Sequence, residues 1–205
     1  MGTPSFTSSA RPPPEQSDMS SQHDDVWIFG YGSLIWRPDM EYLESRVARL
    51  DGWMRRFWQG SHDHRGVPEA PGRVVTLLQR AGEHCEGVAF RVSGAVAQAI
   101  FPALDYREKN GYERHQVRLT LRDTTEIDAV VYIATEDNFA YLGPADANAM
   151  AAQIAASVGP SGRNVDYLTE LAAALRDLNI HDEHVFELEG LVTLYTGRLP
   201  KESLE

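Results

Sequence analysis

The order of strand-like and helix-like segments constrains the fold of this chain more than any other feature. Strand patterns dominate the first half, one helical pattern interrupts them, and the second half is mainly helical. Because a doubly wound sheet requires strict alternation of strand and helix, this order favours an α+β domain with a barrel-like sheet and helices packed outside it. The predicted strands mix β-branched and aromatic residues with alternating polar ones and span 26–30, 47–59, 74–79, 84–92, 112–122 and 126–135.

A helix is predicted between the fourth and fifth of these strands. Ser93 provides an N-cap, and Gly111 stands where a helix C-terminal glycine belongs. Pro102 is expected to kink this helix or to split it into two pieces. The apolar residues that recur every four positions on one face are Val96, Ile100 and Leu104.

Two more amphipathic helices are predicted in the second half. The first begins at Asp146 and repeats apolar residues every four positions as far as Val158, after which the segment GPSGRN interrupts the helix. The second has an apolar stripe made of Val165, Leu168, Leu171, Leu175 and Leu178. We therefore expect one ordered domain over residues 25–190, a disordered Ser- and Pro-rich leader over 1–24 and a tail over 191–205.

Charge and cysteine content narrow the classes of partner. The formal net charge of −11 argues against nucleic acid and anionic membranes, because both select for patches of Lys and Arg. Cys85 is the only cysteine, so no internal disulfide can form and a reducing compartment is favoured. No apolar segment is long enough for a membrane span, and the leader lacks the apolar core of a signal peptide. We expect a cytoplasmic monomer with neither nucleic-acid nor membrane partners.

The segment FGYGSLIW (residues 29–36) places a glycine-containing turn directly after a strand. A dinucleotide-binding fingerprint needs its third glycine where Ile35 stands, and a nucleophile elbow built on Ser33 needs a glycine at the same position. What remains is a run of backbone N–H groups over residues 31–34 that can form an anion-binding nest. The alternative is a plain turn at the end of a strand.

Glu108 lies at the expected C-terminal end of the first helix, in the segment DYREKNGY. The simple interpretation is a charged side chain on a surface helix. Acids are disfavoured at that end of a helix because the unpaired carbonyls carry partial negative charge. If Glu108 is also partly buried, both effects raise its pKa and make it a better proton acceptor, as a general base requires.

The remaining candidates are weaker. Cys85 follows His84 directly, but neighbouring side chains on a strand point to opposite faces, which argues against a Cys–His pair. His62, Asp63 and His64 lie in a Gly- and Pro-containing loop and resemble part of a metal site. Because no third ligand stands at a typical spacing, a solvated or hydrogen-bonding loop is favoured and no metal is predicted.

Several motifs together resemble a known family. They are FGYGSLIW, the loop QGSHDHRGVPEAPGRVVTL, YREKNGY, YLGPA, GPSGRNVDYL and DEHV, which extend from about residue 26 to about residue 188. This set resembles the ChaC-type, glutathione-specific γ-glutamylcyclotransferases. YGSL alone is shared across the wider γ-glutamylcyclotransferase superfamily, whereas the HRG…PGR loop and the YLGP…GPSG pair favour the ChaC branch.

The resemblance implies a γ-glutamylcyclotransferase-like fold, a small barrel-like mixed sheet surrounded by helices. It also implies that glutathione is the substrate, that 5-oxoproline and cysteinylglycine are the products, and that no cofactor or metal takes part. Glu108 matches the catalytic glutamate of the family, and the residues that match its γ-glutamyl-binding loop are Gly30, Tyr31, Gly32, Ser33, Leu34 and Ile35. Two alternatives remain: a cyclotransferase for other γ-glutamyl amines or dipeptides, and a non-catalytic γ-glutamyl-binding regulator of cation transport.

Overall fold

The structure, a computed structural model, describes residues 25–107 and 111–197. Within these ranges, five long strands are β1 (Val26–Gly30), β2 (Glu44–Ser61), β3 (Gly72–Val92), β4 (Tyr112–Leu121) and β5 (Glu126–Ala134). A short hairpin is formed by β6 (Val158–Gly159) and β7 (Gly162–Arg163). The helices are α1 (Gly94–Arg107), α2 (Ala147–Ala156), α3 (Asn164–Asp177) and α4 (Glu183–Thr196), and a 3₁₀ turn spans Ser33–Ile35.

The long strands close into a barrel with the order β1-β3-β2-β4-β5. The ring is mixed, because β1 pairs with β5 in parallel while the other pairings are antiparallel. Helices α2, α3 and α4 pack beside it and bury a continuous apolar core against the sheet. The predicted α+β class, with a small barrel-like mixed sheet surrounded by helices, is confirmed.

One prediction about the strands is wrong. The segments 74–79 and 84–92 belong to a single strand, β3, rather than to two. Its pairing with β2 shifts between Asp51 and Trp53, where Gly52 on β2 and Gly82 on β3 both have positive φ values, +80° and +85°. Because glycine adopts such angles without steric cost, both strands bend at this point and the pairing continues beyond it.

Helix α1 begins as the sequence predicts. The Ser93 hydroxyl oxygen accepts a hydrogen bond from the backbone N–H of Val96 at 3.3 Å. The helix contains Pro102 and remains one element, so the predicted split into two pieces does not occur. Gly111 has a φ of +91°, and a Cβ at that position would lie 2.5 Å from the Asn138 side-chain oxygen, so only glycine fits there.

Helices α2 and α3 follow the predicted stripes, with one difference at the end of α2. Asp146 caps α2 by accepting from the N–H groups of Asn148 and Ala149. That helix ends at Ala156, so Val158 lies on the exposed β6 strand and does not extend the apolar face. Helix α4, over Glu183–Thr196, has no counterpart among the helices predicted from the sequence. Across the described residues, no helix is both long and apolar enough to cross a membrane.

Candidate active site

The glycine turn links the end of β1 to the 3₁₀ turn. The backbone N–H of Ile35 donates to the Gly32 carbonyl at 3.0 Å, and that of Arg37 donates to the Ser33 carbonyl at 2.8 Å. Both glycines lie where the packing is close. A Cβ on Gly30 would lie 2.8 Å from the Cβ of Leu34, and one on Gly32 would lie 2.9 Å from the Tyr167 hydroxyl oxygen.

Two neighbouring cavities open beside this turn in the described part of the chain. The smaller, of about 50 Å³, is lined by Tyr31, Gly32, Ser33 and Leu34 together with aromatic side chains. The larger, of about 240 Å³, is lined by the loop that follows β2. The cavities share Ser33, Tyr112 and Tyr167 in their walls, so together they offer a small compartment and a larger one side by side. Of the predicted binding residues, Gly30 and Ile35 lie behind this surface and pack into the fold.

Tyrosines from distant parts of the chain form much of the small cavity. The Tyr31 hydroxyl donates to the Tyr132 carbonyl at 2.7 Å, and the Tyr112 hydroxyl donates to the Val75 carbonyl at 2.9 Å. Tyr167, from α3, contributes the wall that faces Gly32. Tyr31 is the only one of them predicted as a binding residue. Tyr112 and Tyr167 lie within the motifs YREKNGY and GPSGRNVDYL, whereas Tyr132 on β5 lies in none of the motifs.

Arg55 is the buried cation that holds the turn from behind. Its residue is 2% exposed, and its Nε donates to the Tyr31 carbonyl oxygen at 2.7 Å. Its Nη1 donates to the carboxylate of Asp182 at 2.7 Å, and its Nη2 donates to the Glu86 carbonyl. Because a trans peptide is planar, its N–H points opposite to its C=O. The Tyr31 carbonyl faces Arg55, so the Gly32 N–H of the same peptide points away from it.

The loop that follows β2 brings polar groups to the larger cavity. Asp63, His64 and Arg65 line it, and His64 Nδ1 lies 3.0 Å from the Ser161 hydroxyl oxygen. The backbone N–H of Ser161 donates to the His64 carbonyl at 2.9 Å, which fixes the loop against the β6–β7 hairpin. Among the described residues, no group of three or more His, Cys, Asp or Glu side chains could hold a metal ion.

Cys85 is poorly suited to act as a nucleophile. It is buried in the apolar core, while His84 on the same strand is exposed, as the alternation of side chains predicts. Burial raises the pKa of the Cys85 thiol to about 11. Since only the thiolate is strongly nucleophilic, this thiol is unreactive at neutral pH.

Glu108 lies outside the described residues, so its role remains a prediction. Its neighbours along the chain are informative. Tyr112, four residues later in the sequence, lines both cavities. Gly111 contacts Asn138, which exchanges hydrogen bonds with Gln59 next to the larger cavity's Gly60. Strand β4, which begins four residues after Glu108 in the sequence, therefore starts beside the site.

Comparison with known proteins identifies the family. A sequence model described as ChaC-like protein matches residues 26–195. The chain belongs to the ChaC-like family. This confirms the predicted family.

The relatives of this ChaC-like chain include proteins with named activities. Glutathione-specific gamma-glutamylcyclotransferase 1 of Danio rerio is 43% identical over 179 residues, which cover 84% of this chain and 91% of that protein. The glutathione-specific gamma-glutamylcyclotransferase of Schizosaccharomyces pombe is 38% identical, covering 84% and 94%. A crystal structure of a yeast γ-glutamyl cyclotransferase specific to glutathione superposes with a TM-score of 0.79 at 32% identity, over 83% of this chain and 96% of the other. The γ-glutamylcyclotransferase-like fold predicted from the sequence is thereby confirmed.

Proposed function

We propose that this ChaC-like chain cleaves glutathione to 5-oxoproline and cysteinylglycine. The observation that carries the proposal is the pair of adjoining cavities at the glycine turn, in a chain about two-fifths identical to glutathione-specific γ-glutamylcyclotransferases. The small compartment suits a γ-glutamyl group, and the larger one suits the dipeptide that leaves. Both meet at Ser33, where the scissile amide would lie.

The reaction takes its nucleophile from the substrate. The α-amine of the γ-glutamyl group attacks its own γ-carbonyl carbon, a five-membered lactam forms, and the amide bond to the cysteinyl nitrogen breaks. The protein therefore needs neither a nucleophilic side chain nor a metal or other cofactor. The buried, protonated thiol of Cys85 is consistent with such a reaction.

The glycine turn is proposed to hold the γ-glutamyl group bent for ring closure. The rigid backing by Arg55 fixes the peptide between Tyr31 and Gly32, and the tyrosine hydroxyls are fixed by their own carbonyl partners. A preformed pocket of this kind restricts the substrate before reaction. Orientation gains reach about 7–11 kcal/mol in ideal intramolecular reactions.

Glu108 is proposed as the group that moves protons. The α-amine is mostly protonated at neutral pH and must lose a proton before it attacks, and the departing nitrogen must gain one. A single carboxylate can perform both transfers in turn. Such general acid–base catalysis typically contributes about a hundredfold to ten-thousandfold in rate.

Replacing Cys85 with serine is expected to leave at least about half of the glutathione-cleaving activity. The thiol does not face the cavities, and a hydroxyl of similar size fits the same position, although burying it costs up to about 3 kcal/mol of folding stability where it lacks a partner. Rates of 5-oxoproline release should be compared below the unfolding temperature of each protein. A thousandfold loss in a folded variant would contradict the substrate-supplied nucleophile.

The proposed function is tested by incubating the purified chain with glutathione and analysing the products by mass spectrometry. Formation of 5-oxoproline and cysteinylglycine in equal amounts supports it. Release of free glutamate would indicate hydrolysis, because lactam formation consumes no water. Cleavage of other γ-glutamyl amines in preference to glutathione would support the alternative substrate class, and binding without turnover would support a regulator.

The site of action follows from the same composition arguments. We propose that the chain acts in the cytoplasm as a monomer, with glutathione as its small-molecule partner. The single cysteine and the net charge of −11 support a reducing compartment and argue against nucleic-acid and anionic-membrane partners.

A further inference from the structure

The larger cavity contains charged groups that the chemistry of lactam formation does not use. If the proposed function holds, on which this inference rests, the cavity receives cysteinylglycine, which ends in a carboxylate. The chain carries a net charge of −11 and gives such an anion no long-range attraction. A cation in the wall would bind that carboxylate more strongly than neutral donors do.

Arg65 is the cation that is built into this wall. Its side chain is 12% exposed, and its guanidinium carbon lies 5.7 Å from the centroid of the Tyr167 ring. Its Nη1 donates to the Arg163 carbonyl oxygen at 3.1 Å, and its backbone N–H donates to the Ser61 hydroxyl at 2.9 Å. These contacts fix the direction of the side chain without neutralising its charge.

The charge of Arg65 is only weakly balanced within the described part of the chain. Its nearest carboxylate there, that of Glu170, remains 3.7 Å away, and its Nε has no hydrogen-bond partner among those residues. The other arginine of the cavity, Arg37, is 64% exposed in its side chain and pairs with Asp39 at 3.2 Å. Arg65 is partly desolvated and has spare N–H donors, so it is a better carboxylate ligand than Arg37. The planar pair of guanidinium N–H groups matches the two carboxylate oxygens.

The position of Arg65 in the wall fits this role. Tyr167 lines both cavities, so the guanidinium that lies over its ring is close to the boundary between them. Two extended residues span about 7 Å, which is the reach of cysteinylglycine from the scissile amide to its terminal carboxylate. We propose that Arg65 binds the terminal carboxylate of the cysteinylglycine half and thereby selects γ-glutamyl peptides with a free carboxylate at that distance.

The test combines two substrates with variants of Arg65. The substrates are glutathione and glutathione whose glycine carboxylate has been converted to the amide, which removes the charge and retains the shape. Wild type is expected to favour glutathione by about ten- to a hundredfold in kcat/KM, the usual value of a charge-assisted hydrogen bond. In Arg65→Met, kcat/KM for glutathione should fall by that factor, mainly through a higher KM. The variant should cleave the glycine-amide analogue about as well as wild type does.

Two further variants complete the design. Arg65→Lys keeps the positive charge but lacks the paired N–H groups of the guanidinium, so it should retain an intermediate preference for glutathione. Arg118→Met removes one positive charge at an exposed barrel position, where Arg118 pairs with Asp128, and should change neither substrate's kinetics. Circular dichroism and thermal unfolding establish which variants are folded.

The outcomes separate this inference from the proposed function. If wild type releases 5-oxoproline from both substrates with equal kcat/KM, the carboxylate is not recognised and the inference is overturned while the function stands. If Arg65→Met and Arg65→Lys lower kcat/KM for both substrates by the same factor, Arg65 only supports the loop. That result also overturns the inference. If wild type forms no 5-oxoproline from glutathione, the proposed function fails and the inference fails with it.

Discussion

The Glu108→Gln variant is expected to turn over glutathione about a hundredfold to ten-thousandfold more slowly than wild type while binding it nearly as tightly. Glutamine keeps the shape and part of the hydrogen bonding of the acid but cannot accept the ammonium proton. If proton transfer is the only task of Glu108, kcat decreases by the factor that general acid–base catalysis usually contributes. Binding survives because the glycine turn and the cavity walls hold the substrate.

The comparison requires kcat from 5-oxoproline release and Kd from calorimetry on the same folded preparations. Glu113→Gln is the matched control, since Glu113 stands on β4 shortly after Glu108 but its side chain is 67% exposed. It should behave as wild type. A Glu108→Gln variant within tenfold of wild type would reduce Glu108 to a surface charge. Loss of binding together with turnover would instead assign it to the substrate's ammonium group.

The sequence predicts the barrel well because its strands are encoded locally. Alternation of apolar and polar residues depends on a few neighbouring positions, and β1, β4 and β5 lie within a residue of the predicted bounds. The division of β3 into two strands failed because Gly82 and the charged residues near it resemble a turn. Only the pairing with β2, set by the whole barrel, shows that the strand continues there.

The candidate site likewise has one part that the sequence predicts and one part that it does not. The glycine turn is a local motif, and its position at the end of β1 follows from the sequence. The groups that surround it do not: Tyr132 is 101 residues from Tyr31, and Asp182 is 127 residues from Arg55. A single sequence gives no pairing information across such distances. The sequence around Arg55 is typical of an ordinary polar position on a strand, although the residue is almost completely buried.

Arg55→Met is expected to destabilise the fold by about 3–5 kcal/mol, the usual cost of removing one partner from a buried ion pair. Methionine fills the volume of the arginine stem, so lost charge and lost hydrogen bonds dominate the effect. Asp182 is left without its cation, and the carbonyls of Tyr31 and Glu86 lose their donor. Urea unfolding followed by circular dichroism measures the change in the free energy of unfolding.

A second substitution distinguishes the cost of the unpaired Asp182 charge from the cost of the unsupported glycine turn. Asn in place of Asp182 removes the charge but can still cap α4, where Asp182 accepts from the Val185 N–H. The double variant Arg55→Met with Asp182→Asn should therefore recover part of the lost stability. It should not recover affinity for glutathione, because the Tyr31 carbonyl still lacks the donor that fixes the peptide leading to Gly32. Wild-type glutathione affinity in that folded double variant would show that the turn holds its shape without Arg55. Weakened binding would instead assign Arg55 the task of positioning it.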